Sequence, residues 1–237
     1  MKQIFDSLKK QSPSRIIALG FSAVILVGAV LLMMPFSLKK GVHLSFLNAL
    51  FTSTSAVCVT GLVVVDTADS FTAIGQAIVA ALIQIGGLGI ASVGVGLIIA
   101  AGKRVSIKSR LMVKEALNVD TYHGMVRLVR IVLAITLGFE AAGVIISFFV
   151  FRKDYSPLHA VGISIFHSIA AFNNAGFDNL GGMHNLIPYK DNILLNITTD
   201  ILVIAGGLGF LVLVDIVKQK HFKKLCLHSK VVVSMTA

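Results

Sequence analysis

Charge is scarce in this sequence, and its scarcity excludes more than any motif does. Only 14% of the 237 residues are charged and 56% are hydrophobic, whereas a soluble globular domain carries roughly 25% charged residues. A soluble core has no room for that much apolar sequence. Cysteine is rarer still, and Cys58 and Cys226 make no disulfide framework. The histidines, His167 beside Ser168 among them, lack H-E-x-x-H spacing, and adjacency alone makes no activated nucleophile. The glycine-rich runs lack the G-x-x-x-x-G-K-[ST] pattern and lie inside apolar stretches, so they are poor phosphate cradles.

The apolar residues are gathered into long runs, including 16–34 and 73–102, and about 18 or more uncharged residues in succession mark a candidate transmembrane helix. The first run is too long for a secretory leader and lacks a small-residue cleavage site after it. Membrane spans are predicted at residues 15–34, 73–102, 125–151 and 192–217. Between the first and second, and again between the third and fourth, lie shorter apolar stretches at 44–57 and 158–172. A helix of about 14 residues reaches only ~21 Å, short of a ~30 Å hydrocarbon core. Such a segment enters the membrane and turns back.

The net charge of +10 is distributed between the spans and forms no soluble basic face for nucleic acid. Lys2, Lys9, Lys10 and Arg15 precede the first span; Lys103, Arg104, Lys108, Arg110, Lys114, Arg127 and Arg130 separate the halves; Lys218, Lys220, Lys223, Lys224 and Lys230 follow the last. If each half crosses an even number of times, these clusters share one side, and the positive-inside rule makes it cytoplasmic, together with the N-terminal segment 1–13.

The halves align. Phe51-Thr-Ser-Thr-Ser-Ala-Val-Cys-Val-Thr-Gly61 matches Phe166-His-Ser-Ile-Ala-Ala-Phe-Asn-Asn-Ala-Gly176 at a constant offset, retaining Phe, Ser, Ala and Gly, and Ile85-Gly-Gly-Leu-Gly89 matches Ala205-Gly-Gly-Leu-Gly209 further on. The repeated unit reads helix, short re-entrant helix, glycine-bearing loop, helix. The expected units are 14–118, with its cytoplasmic connector, and 119–228. Residues 229–237 resemble the start of the first span and read as a truncated third unit, or as a basic tail with a few apolar residues. The connector, 105–124, reads equally as an amphipathic helix on the inner leaflet or a partner and as a solvated link.

Irregular backbone at membrane depth is tolerated only where it is buried or lines a watery path. The two loops, Val57-Cys58-Val59-Thr60-Gly61 and Phe172-Asn173-Asn174-Ala175-Gly176, are therefore the candidate ion filter, with peptide carbonyls replacing a cation's hydration shell. The short helices aim their partly negative C-terminal ends at the same place. Asp66, Asp69 and Asp178 follow the loops on the outer side, either to concentrate cations at the mouth or as part of a mixed solvated rim with Lys39, Lys40, Arg152, Lys153 and Lys190. The paired glycines Gly86, Gly87, Gly89 and Gly206, Gly207, Gly209 read as close-packing positions between helices. Glu140, Asp200 and Asp215 fall within or beside spans, where a carboxylate is costly. An inter-helix hydrogen bond or salt bridge is expected of Glu140, and the inner interface near Lys218 accommodates Asp215.

With these motifs, the sequence resembles the Trk/Ktr/HKT superfamily of potassium transporters, most of all the bacterial Ktr membrane subunit, over nearly the whole chain. The resemblance implies an all-α integral membrane protein of the plasma membrane with four helix–pore-loop–helix units around one pore, two of them present here. It implies potassium uptake down its electrochemical gradient, no covalently bound cofactor, and potassium as the substrate, with sodium as an activator in some members. Gly61 and Gly176 fall at the family's filter-glycine positions, and glycine at the first goes with potassium preference. A homodimer on a cytoplasmic nucleotide-binding ring is also implied, with the family's gating loop in the third unit. The alternatives are a membrane enzyme using the intramembrane carboxylates and an assembly subunit that conducts nothing.

Overall fold

Every long element is an α-helix, because apolar runs buried in lipid must satisfy their peptide groups internally. The structure, a computed structural model, describes residues 12–117 and 124–236. Lys2, Lys9 and Lys10 of the expected cytoplasmic N-terminus, connector positions 118–123 and Ala237 lie outside the described residues. Helix α1 is Pro13–Met33, α2 Phe46–Val57, α3 Thr67–Ser70, α4 Ala73–Leu88, α5 Ile90–Ala100, α6 Ile107–Ala116, α7 Met125–Phe151, α8 Pro157–Phe172, α9 Ile193–Gly207, α10 Phe210–Gln219 and α11 Leu227–Thr236. Strand pairing among the described residues is limited to one isolated bridge, Leu38 to Phe71.

Length sorts the helices into two kinds. Helix α1 has 21 residues and α7 has 27, and at 1.5 Å per residue both reach across a bilayer core. Helix α2, with 12 residues, and α8, with 16, stop short of it. Proline at the first turn starts α1 and α8, where its missing N–H removes no helical bond, and the Ser45 side chain accepts from Asn48 N–H to start α2.

The spans expected at 73–102 and 192–217 are each broken by a bend. Helices α4 and α5 meet at 105°, and α9 and α10 at 101°. At the breaks stand Gly89, φ +76°, and Gly209, φ +86°, in backbone conformations that a right-handed helix cannot contain and that only glycine adopts cheaply. The flanking residues stay apolar, so hydropathy carries no trace of the bend. By length and composition two helices among the described residues are able to cross a membrane, or up to four if each bent pair is one span.

The short helices are gripped twice in the same way. Ser53 donates to the Ile25 carbonyl of α1 at 2.7 Å, and Ser168 donates to the Glu140 carbonyl of α7 at 2.7 Å. Gly28 and Gly143 permit this approach, since a Cβ on either would run into the serine hydroxyl. One core joins the halves: Ala56, Val57, Val79 and Ile83 pack with Phe166, Ala170, Ala175 and Phe177. Elsewhere large apolar side chains face outward, among them Leu26, Val27, Leu137, Ile145, Phe149, Ile193, Ile197 and Ile201. Water does not tolerate an exposed apolar surface of that extent, and lipid does. The chain is a membrane protein.

Candidate functional site

Both short helices end in the same hydrogen-bonded turn. After α2, Val59 N–H donates to the Ala56 carbonyl at 3.3 Å and Thr60 N–H to the Ser55 carbonyl at 3.0 Å; after α8, Asn174 N–H donates to Ala171 at 3.0 Å and Ala175 N–H to Ala170 at 2.8 Å. This crossed pair is a Schellman cap, which requires one left-handed residue. Val59, φ +55°, and Asn174, φ +56°, fill that position. A β-branched valine there is a genuine outlier. The caps consume helix carbonyls and turn the chain sharply, so each loop leaves its helix in a fixed direction.

Two residues beyond each cap, the chain is left-handed again at Gly61, φ +76°, and Gly176, φ +68°. These glycines meet. A Cβ on Gly61 would stand 2.8 Å from the Ala175 carbonyl oxygen and 3.1 Å from the Gly176 Cα, so the backbones of the two loops are in direct apposition. Val57, Phe172 and Ala175 are buried, whereas Cys58, Thr60, Asn174 and Gly176 are exposed along the loops. The entering carbonyls are placed differently: that of Val57 lies against Gly86 of α4, and that of Phe172 against Gly206 of α9, where a Cβ would collide with each. Gly86, Gly87 and Gly206 are close-packing positions as expected, but Gly89 and Gly209, with open space where a Cβ would go, are the bends.

The carboxylates that follow the loops have defined partners. Asp66 caps α3 through Asp69 N–H at 2.8 Å and accepts from Met183 N–H at 2.8 Å, while Asp69 accepts from Gly182 N–H at 3.0 Å. Asn179 donates to Gln76 at 3.0 Å, so a turn beyond the second loop is fastened across to the first half. Asp178 accepts from Leu180 N–H at 3.0 Å. Burial pushes its carboxyl above the usual range, against the Leu180 hydrogen bond, with nearby Asp66 adding to the rise. A cavity of about 400 Å³ beside the second loop is lined by His167, Asn174, Gly176, Asp178 and Thr199 among others.

Of the other acids, Asp200 is exposed on α9 and Asp215 accepts from Cys226 N–H at 2.9 Å. Glu140 is buried and accepts from the Asn173 side-chain amide at 3.4 Å. Sequence reasoning missed Gln84, which lies beside this group; an amide inside an apolar run was its signal. It also missed the work of Ser53 and Ser168, although their retention at matching places pointed to it.

The profile of the cation transport protein family TrkH matches residues 8–236. The chain belongs to the TrkH family. It is 40% identical over 97% of its length to the potassium/sodium uptake protein NtpJ of Enterococcus hirae and 40% identical over 95% to the Ktr system potassium uptake protein B of Bacillus subtilis. A third relative, the Ktr system potassium uptake protein B of Vibrio alginolyticus, is 37% identical over 98% of the chain. In each case the match covers 50% of the relative, so the chain spans about half the length of the curated relatives it matches. These TrkH relatives are transporters and not enzymes, which sets aside the expected alternative of a membrane enzyme built on Glu140 and Asp200.

Proposed function

We propose that the Gly61–Gly176 junction is part of the ion filter of a potassium-uptake transporter and that potassium passes it inward through the plasma membrane. The apposition of two left-handed glycines carries this reading, because it puts the backbones of two re-entrant loops side by side. Helices α2 and α8 end there, and the roughly half negative charge at each C-terminus favours a cation and repels an anion. Carbonyls of residues 58–61 and 173–176 replace the ion's water, whereas those of Val57 and Phe172 are turned to Gly86 and Gly206. Gly61 favours potassium over sodium. Relatives named for potassium or potassium/sodium uptake support the choice of ion.

In this reading residues 14–118 and 119–228 are two helix–pore-loop–helix units and 229–237 open a third. The relatives, about twice as long as the matched stretch, have room for four. The basic segments lie in the cytoplasm with the N-terminus. Relatives named as parts of a Ktr system support a cytoplasmic nucleotide-binding regulatory partner; the transporter subunit works as a homodimer, with sodium as an activator. Asp66, Asp69 and Asp178 add a negative field at the outer mouth while holding their backbone partners.

The test is growth of potassium-transport-deficient cells on low potassium. The full-length protein is expected to restore growth and to raise cell potassium. Absence of rescue with the protein present in the membrane, together with its regulatory partner, would contradict the reading.

A further inference from the structure

Helix α7 carries one acid within its apolar length, Glu140, 6% exposed. An intramembrane carboxyl is expensive unless it has a task, and ion passage through peptide carbonyls gives it none. Its surroundings do. The Asn173 side-chain amide donates to the Ile169 carbonyl at 2.9 Å, to Gln84 Oε1 at 2.9 Å and, longer, to Glu140 Oε1 at 3.4 Å. Gln84 lies close to the Glu140 carboxyl. The Asn173 side chain lies against Gly87, where a Cβ would overlap it.

The trio draws on three elements. Gln84 is in α4 of the first half, Glu140 is in α7, and Asn173 is the C-cap of α8, immediately before the left-handed Asn174. It is also where the halves stop matching. The serine-to-carbonyl joint recurs, Ser53 to Ile25 and Ser168 to Glu140, but the side chains beside it do not: Ile25 stands where Glu140 does, and Cys58 where Asn173 does. The second half therefore places a buried acid and a half-buried amide at a joint the first half makes without them. Several acceptors around one amide fix its orientation, and a satisfied buried network rigidifies what it holds.

We infer that Glu140 is a positioning residue for ion selectivity, holding Asn173 together with Gln84 so that the second loop keeps a fixed distance from the first. This rests on the filter reading proposed above. A merely structural residue would change how much protein reaches the membrane, whereas a positioning residue changes which ion passes at equal abundance.

Potassium and sodium uptake are measured in cells expressing the full-length protein, with membrane abundance scored for each variant. Glu140→Gln keeps an acceptor oxygen for the Asn173 amide and is expected to hold the potassium-to-sodium ratio within about twofold of wild type, whereas Glu140→Ile removes the acceptor and lowers the ratio about fivefold, as loss of one modest hydrogen bond allows. Gln84→Met shifts the ratio in the same direction and carries the test if Glu140→Ile fails to reach the membrane. An unchanged ratio in the variants that do reach it overturns the inference. So does equal loss in Glu140→Gln and Glu140→Ile, which would assign the effect to charge. Failure of the wild-type protein to take up potassium would instead remove the filter reading itself.

Discussion

Replacing Gly61 with serine is expected to cut potassium uptake by about tenfold or more and to erode preference for potassium over sodium, with the protein still in the membrane. Two costs combine. A left-handed backbone costs an L-residue roughly 1–2 kcal/mol, and about 1.4 kcal/mol is already a factor of ten. The Cβ would also press on the Ala175 carbonyl oxygen at 2.8 Å and the Gly176 Cα at 3.1 Å. Both are backbone, so relief comes only by moving one loop away from the other. Uptake of each ion at matched abundance checks this, and equal rates and equal preference in both proteins would remove Gly61 from the filter.

Gly206→Ala is expected to be as damaging by another route. Its Cβ would run into the Phe172 carbonyl, and that residue ends α8 inside the turn closed by the Schellman cap bonds to Ala170 and Ala171. Overpacking of this kind costs typically 1–3 kcal/mol, here taken from the cap or from the contact of α9 with α8. The predicted result is lower membrane abundance together with lost uptake. Gly138→Ala is the control, because nothing lies within 4 Å of its Cβ and alanine is the better helix former. Equal behaviour of the two variants in thermal unfolding and uptake would show that the close approach at Gly206 does not matter.

The sequence made the loops legible because their signals are local. The matching Phe, Ser, Ala and Gly around Gly61 and Gly176 placed both short helices, and the apolar run lengths showed that they stop short of a full span. The bends were hidden: Gly89 and Gly209 sit among apolar residues, and a hydropathy run says nothing about the sign of φ. The caps were hidden too, since a Schellman turn is usually signalled by glycine and here Val59 and Asn174 take the left-handed position. Long-range polar contacts left the weakest trace. Asn173 and Gln84 are 89 residues apart, and Asp66 meets Met183 across 117. Nothing near Asp66 or Asp69 in the chain announces that their oxygens fasten a turn of the other half.

The same geometry explains why the two halves depend on one another. Gly61 rests on Ala175 and Gly176, Asn173 rests on Gly87, and Phe166 and Phe177 complete the core around Val57. A change confined to one loop therefore reaches the other through packed backbone, the kind of contact that yields least.

The most direct test is to locate the ion. An experimental structure of the full-length protein with thallium or rubidium in place of potassium is expected to show anomalous density at the Gly61–Gly176 junction, against the carbonyls of residues 58–61 and 173–176. Density only elsewhere, with the two glycines apart or facing lipid, would contradict the account.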